Sequence, residues 1–220
     1  VPIRVTRIHD SMHVWYAVLV KAALVGKYGG TGMITSPLRY QFSVDEYTRM
    51  HEMGILAEDA RVELLDGEIY TMSPLGPLHI ALVNRLNKLL MHQIGDDAWV
   101  SVQNSVRLDD YSEPQPDIAV LRLRDDAYEQ ALARPDDILL IIEIADTSLA
   151  YDRDQKLPRY AASTVGEVWI IDANQQMIEQ YTEPVQGQYM QMHRYLKGHT
   201  IQSKIVPQIQ FTTDRIFPIY

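Results

Sequence analysis

The chain has 220 residues, 46% of them hydrophobic and 22% charged, a composition that supports one well-buried domain. It contains no cysteine, which excludes disulfides, thiolate nucleophiles and zinc-thiolate sites and makes a reducing cytoplasm the expected compartment. A formal net charge of -9 argues against a broad electrostatic grip on nucleic acid and leaves room for a local basic groove.

In chain order, residues 12–25 (MHVWYAVLVKAALV) are apolar but fall short of the roughly 18 residues of a membrane span, and Lys21 interrupts them. A glycine-rich break at Gly29, Gly30 and Gly32 follows. Residues 1–32 are therefore expected to be an extension outside the functional unit, which starts at Met33 and runs as a single domain to Tyr220. An ordered packing element is the alternative. No small-x-small pattern follows the apolar run to mark a cleaved signal peptide.

Ser43-Val-Asp-Glu46 has the form of a capping box, and Val44, Tyr47 and Met50 give a short helix its apolar face before Gly54. Asp66-Gly67 between two strand-like runs predicts a hairpin over 62–72. Leu82, Val83, Leu86, Leu89 and Leu90 recur at helical spacing and predict a long helix ending at Gly95. Strands are expected over 99–108, 117–123 and 138–145, the last a continuous apolar run suited to a sheet covered on both faces. A helix is expected over 152–162 with Pro158 in its first turn or at a kink, then a strand over 167–172 and a hairpin over 177–195. The order is that of an α/β domain around one central mixed sheet, flanked by helices and carrying extra hairpins. Phosphate-loop and dinucleotide glycine patterns are absent.

Glu143 interrupts the apolar run LLIIEIA, where an isolated carboxylate would cost several kcal/mol, roughly, or lose its charge. Pro116-Asp117 opens the preceding strand, so adjacent strands can bring Asp117 and Glu143 to one end of the sheet. Two hard oxygen donors beside a strand-edge carbonyl suit Mg²⁺, with Mn²⁺ as substitute. The competing reading has Asp117 capping a turn and Glu143 facing solvent or an arginine. His79, at the start of the long helix, could touch phosphate or support a metal ligand, or simply pack there. Arg107, Arg122 and Tyr111 form no basic run interleaved with aromatics, and Trp169 reads as core.

Pro116-Asp117, Glu143 and Lys156 together resemble a variant of the PD-(D/E)XK nuclease signature. The stretches FSVDEYTRMHEMGIL, RVELLDGEIYTMSP, SEPQPDIAVL, IIEIADTSLAYDRDQKLPRYA and GEVWIIDA are similar to the bacterial Uma-two family of endonuclease-like proteins, from about residue 35 to the end. The resemblance implies a restriction-endonuclease-like core and hydrolysis of phosphodiester bonds in nucleic acid, DNA by expectation, with Mg²⁺ held by Asp117, Glu143 and Glu63. The superfamily's usual lysine stands two residues after the glutamate, where this chain has Ala145; the resemblance offers Lys156 as its migrated substitute, able to orient or deprotonate water and offset phosphate charge, against the alternative of a solvated helix lysine with Asp152 and Asp154 as nearby partners. Glu63 matches the family's upstream acidic position, against the alternative of a surface hairpin residue. Tyr160, one turn beyond Lys156, is expected to pack on the lysine stem. A homodimer would suit a duplex with two strands to cut, and a membrane partner is not expected. The second functional reading is a non-catalytic module of nuclease-like fold that binds nucleic acid or protein.

Overall fold

The computed structural model describes residues 39–57 and 59–217. The expected extension over residues 1–32, with its boundary at Met33, lies outside the described residues.

The first helix, α1 (Val44–Glu52), starts at the capping box read from the sequence: Ser43 accepts from the Glu46 amide while the Glu46 carboxylate accepts from the Ser43 amide. The hairpin β1 (Val62–Leu65) and β2 (Glu68–Thr71) turns at Asp66 and Gly67, both at positive φ. At Gly67 a Cβ would lie 2.5 Å from the Cβ of Gln41, so the approach of the preceding chain as well as the turn requires glycine. The long helix α2 (Pro77–Ile94) opens with proline in its first turn and stops at Gly95, also at positive φ.

Six strands make the central sheet in the order β3-β4-β5-β6-β7-β8: β3 (Trp99–Val102), β4 (Ile118–Leu121), β5 (Ile138–Ala145), β6 (Glu167–Asp172), β7 (Met177–Val185) and β8 (Gln188–Tyr195). Neighbours are antiparallel except β5 and β6, whose parallel pairing needs the helical crossover between them. Strands β5 and β6 match the sequence expectation residue for residue. Strand β3 ends earlier than expected, at Val102, because Gln103 turns out of the sheet at φ 53°. β4 covers only the middle of its expected range. The pair β9 (Thr200–Gln202) and β10 (Gln210–Thr212) forms a small separate sheet.

The crossover begins three residues earlier than expected. It runs as α3 (Leu149–Tyr151), a π-turn (Asp152–Lys156) and α4 (Leu157–Ala162). Pro158 has no amide to return to residue 154, and the turn before it widens so that the Leu157 amide bonds Asp152 O. Helix α2 and the β9–β10 pair cover one sheet face, packing Leu82, Leu86, Phe211 and Ile216 on Ile142, Ile144 and Trp169. The crossover covers the other with Tyr160 against Ile141, Ala145, Val168 and Ile170. Among the described residues no helix is long and apolar enough to cross a membrane.

Candidate functional site

Strand β5 outruns β4. Their register pairs Ile118 with Ile142, so Asp117, one residue outside β4, comes opposite Glu143, and β5 continues past it. The overhang leaves the Ile144 amide without a strand partner on that side, and Asp117 Oδ2 accepts from it at 2.8 Å. The Asp117 amide in turn points at Glu143 Oε2, at 3.4 Å. Two carboxylates 26 residues apart are thereby pinned to one end of the sheet by each other's strands.

The crossover supplies the cation. Asp152, Lys156 and Tyr160 recur every fourth residue, and that face of the helical segment turns to the sheet, leaving all three buried. Lys156 Nζ lies 2.7 Å from Glu143 Oε1 and 3.3 Å from Glu63 Oε2, and donates to Gln115 O at 3.2 Å. Tyr160 donates its hydroxyl to the same Glu143 oxygen at 2.6 Å. Glu63 accepts from the Tyr151 hydroxyl and the Gln115 amide, each at 2.9 Å. His79, in the first turn of α2, reaches Asp117 Oδ1 through Nε2 at 2.8 Å.

Four carboxylates, those of Glu63, Asp117, Glu143 and Asp152, thus face one ammonium and one imidazole. Burial pushes the Glu143 carboxyl up to about 8; Lys156 pulls it down, while Asp152, Asp117 and Glu63 add to the rise. Burial works against the Lys156 ammonium, but Glu143 and Glu63 outweigh it and hold the lysine charged. Asp152 is also raised, by burial first. For His79, burial favours the neutral ring, yet the hydrogen bond and charge of Asp117 leave it more basic than an ordinary imidazole. Asp117 keeps 14% of its side-chain surface exposed, against 4% for Glu143 and 1% for Glu63, so the cluster opens towards solvent at Asp117. A cavity of about 460 Å³ lies beside it, with Gln115, Gln103 and Arg61 in its wall.

Carboxylate oxygens are the hard donors that Mg²⁺ or Mn²⁺ take, few to an ion, with water completing the shell. Asp117 and Glu143 would be the donors, with Glu63 behind them. Among the described residues no three His, Asp or Glu side chains are grouped to ligate one ion, and the Lys156 ammonium bridges Glu63 to Glu143.

All five residues singled out in the sequence, Asp117, Glu143, Lys156, Glu63 and His79, therefore meet in one cluster. Glu63 is buried, where a surface hairpin residue would be exposed, and Lys156 is not a solvated helix lysine. Tyr160 bonds the carboxylate instead of only packing on the lysine. Sequence reading took Asp152 only as a nearby partner of a solvated Lys156, and missed Tyr151 and Gln115. The spacing of Asp152, Lys156 and Tyr160 carried the signal for the first; Tyr151 and Gln115 act through contacts 88 and 52 residues away that no local pattern announces. Arg107 belongs elsewhere, paired with Asp45 and Asp110. Arg122 caps Asp136 O, and Trp169 is wholly buried.

Residues 44–214 match the Uma2 family model, described as "Putative restriction endonuclease". The fold is similar to the crystal structure of "a putative nuclease belonging to DUF820" from Anabaena variabilis, with a TM-score of 0.65 and 14% identity over 80% of this chain and 97% of that one. At that identity the likeness speaks for the fold: a central mixed sheet flanked by helices, consistent with a restriction-endonuclease-like core. No curated protein matches the chain.

Proposed function

We propose that this chain, which belongs to the Uma2 family, is a metal-dependent endonuclease that hydrolyses phosphodiester bonds of nucleic acid, with DNA as the expected substrate. The observation that carries the reading is the convergence of Asp117, Glu143 and Lys156 from three separate elements, with the ammonium 2.7 Å from Glu143. A structural ion pair needs one carboxylate for one lysine; this cluster has four.

Asp117 and Glu143 would hold the ion, with Glu63 completing its surroundings directly or through water. When bound there, Mg²⁺ supplies Lewis-acid polarisation of the scissile phosphate and a more acidic attacking water. The chain's own groups do the positioning. His79 and the Ile144 amide fix the two oxygens of Asp117, and Tyr160 and Lys156 fix Oε1 of Glu143. Because its carboxylate neighbours keep Lys156 protonated, its part is to orient water and offset charge on the phosphate, not to accept the proton.

The test compares the wild type with Glu143→Gln. At about 100 times its dissociation constant, Mn²⁺ stabilises a folded protein by about 2.7 kcal/mol through mass action. The wild type is expected to show that shift in thermal unfolding and to nick plasmid DNA in Mn²⁺, and Glu143→Gln to do neither. Equal shifts in both proteins would place the metal elsewhere. A wild-type shift with no cleavage of DNA or RNA would favour the non-catalytic binding module.

A further inference from the structure

Helix α2 carries a second feature at its other end. Arg85, Lys88 and His92 recur at i, i+3 and i+7, so they line one side of the helix, away from the buried stripe of Leu82, Leu86 and Leu90. Arg215, from the short turn after β10, faces the same groove, a cavity of about 940 Å³ whose lining includes no Asp or Glu. Asp97 approaches only the rim, 3.5 Å from Gln208. Arg85 donates to Ile216 O at 3.1 Å. Among the described residues, the side chains of Lys88, His92 and Arg215 form no ion pair or hydrogen bond.

A cation near the C-terminal end of a helix complements its dipole, which accounts in part for Lys88. It does not account for Arg215, which reaches the groove from another element and brings like charge to like in a protein of net charge -9. In the wall, Gln93 gives its amide to Gln210 O. Lys88 and Arg215 bring their charges to the groove from separate elements, with Arg85 beside them bonded to Ile216 O.

We propose that this groove binds a nucleic-acid phosphodiester backbone at a distance from the carboxylate cluster, holding a flanking tract of the substrate. His79 enters the cluster from the first turn of α2, and Lys88 stands roughly 13 Å further along the helix axis, so one rigid element ties the two sites together. The choice of nucleic acid over another anionic chain rests on the nuclease reading above; the groove itself rests on its own geometry and charge.

Fluorescence anisotropy of a labelled 20-base-pair duplex, in EDTA and at several salt concentrations, tests it. The double variant Lys88→Glu/Arg215→Glu is compared with Lys197→Glu/Lys204→Glu, which changes the net charge equally on other surfaces. Removing one cation from the phosphate backbone lowers the slope of log affinity against log salt by about 1 and weakens binding about tenfold near 0.1 M salt. The groove variant is expected to bind about a hundredfold more weakly with a slope lower by about 2, and the control pair to stay within about threefold of wild type. Equal binding by the two variants overturns the inference. So does poly-glutamate of matched charge competing as well as duplex, which would make the groove a site for acidic peptide. If wild type binds through the groove yet cleaves nothing in Mn²⁺, the nuclease reading fails and the groove stands.

Discussion

Adjacent strands β5 and β6 each bury a glutamate, and the two are neutralised in opposite ways. Glu143, on the face covered by the crossover, has the Lys156 ammonium, the Tyr160 hydroxyl and three other carboxylates for neighbours. Glu167, on the face covered by α2 and the β9–β10 pair, pairs with no cation among the described residues. Its Oε1 accepts from Trp169 Nε1 at 2.7 Å and Gln180 Nε2 at 2.6 Å. Its Oε2 accepts from Ser203 Oγ at 2.7 Å and from the amides of Lys204 and Ile205 at 2.9 and 3.1 Å. Five neutral donors satisfy one carboxylate and tie the chain after β9 to the sheet. A glutamate inside an apolar strand is thus no sign of chemistry by itself. What separates the two is the balance around them: Glu167 is matched by neutral donors, whereas Glu143 shares one ammonium with three other carboxyl groups, and burial together with their charge raises it.

The sharpest way to break that distinction is to remove the matched carboxylate. Glu167→Ala leaves five donors facing a cavity in the core, and unmade buried hydrogen bonds cost about 1–3 kcal/mol each before relaxation. A loss of about 4 kcal/mol in urea unfolding is expected, equivalent to a Tm lower by roughly 8–16 °C for a domain of this size, and unchanged by Mn²⁺. A loss below about 1 kcal/mol would mean that water replaces the carboxylate and that the structural reading of Glu167 is wrong.

Lys156→Met probes the other side of the comparison. It strands Glu63 and Glu143 together without their cation, and removing one partner of a buried pair costs about 3–5 kcal/mol. The penalty has a sign with pH. Glu143 is already raised by burial to about 8, with Lys156 pulling it down, and losing that pull raises it further. A carboxyl raised in the folded state contributes stability below its unfolded pKa and loses it as pH climbs through the folded value. The variant is therefore expected to lose about 3 kcal/mol at pH 8 and clearly less at pH 5, measured by urea unfolding at both. Equal losses would show that the methylenes of Lys156 matter through packing, not its charge.

The same comparison shows why the sequence was legible in some places and not in others. β5, β6, α2 and the capping box of α1 follow from periodicity and end signals that lie within a few residues of one another. Glu143 stood out because its strand is otherwise wholly apolar, and family resemblance then linked it to Asp117, Glu63 and Lys156. Glu167 heads the run EVWIID and gives the same kind of signal, but its five donors come from residues 169, 180 and 203–205, and only the folded arrangement of β6, β7 and the chain after β9 brings them together. The π-turn was visible only as an awkward proline. Widening that turn is what gives the crossover the register that buries Asp152 and Lys156, and register is a tertiary property.

Glu179, on β7, offers the mildest test, because it lies between the two extremes: a buried carboxylate balanced by charge, with charge to spare. Arg153 Nε donates to one of its oxygens and Arg194 Nε to the other, at 2.8 and 2.9 Å, and Tyr181 adds its hydroxyl at 2.8 Å. Burial would raise this carboxyl, but the hydrogen bonds of Arg153, Tyr181 and Arg194 prevail and hold it below the ordinary range. Arg194 is 56% exposed, so its pairing competes with water and side-chain entropy, and Arg153 remains in place when it is gone. Arg194→Ala is expected to cost less than about 1 kcal/mol. With Arg153→Ala added, Glu179 keeps only Tyr181, and the double variant is expected to lose more than the two single losses added together, by at least about 0.5 kcal/mol in a double-mutant cycle. A depressed carboxyl contributes its stability above its unfolded pKa and loses it as pH falls through the folded one, so this coupling should shrink when the cycle is repeated near pH 3. Strict additivity at neutral pH would mean that the two arginines do not share Glu179 in solution, and that the carboxylate is held, like Glu167, by neutral donors.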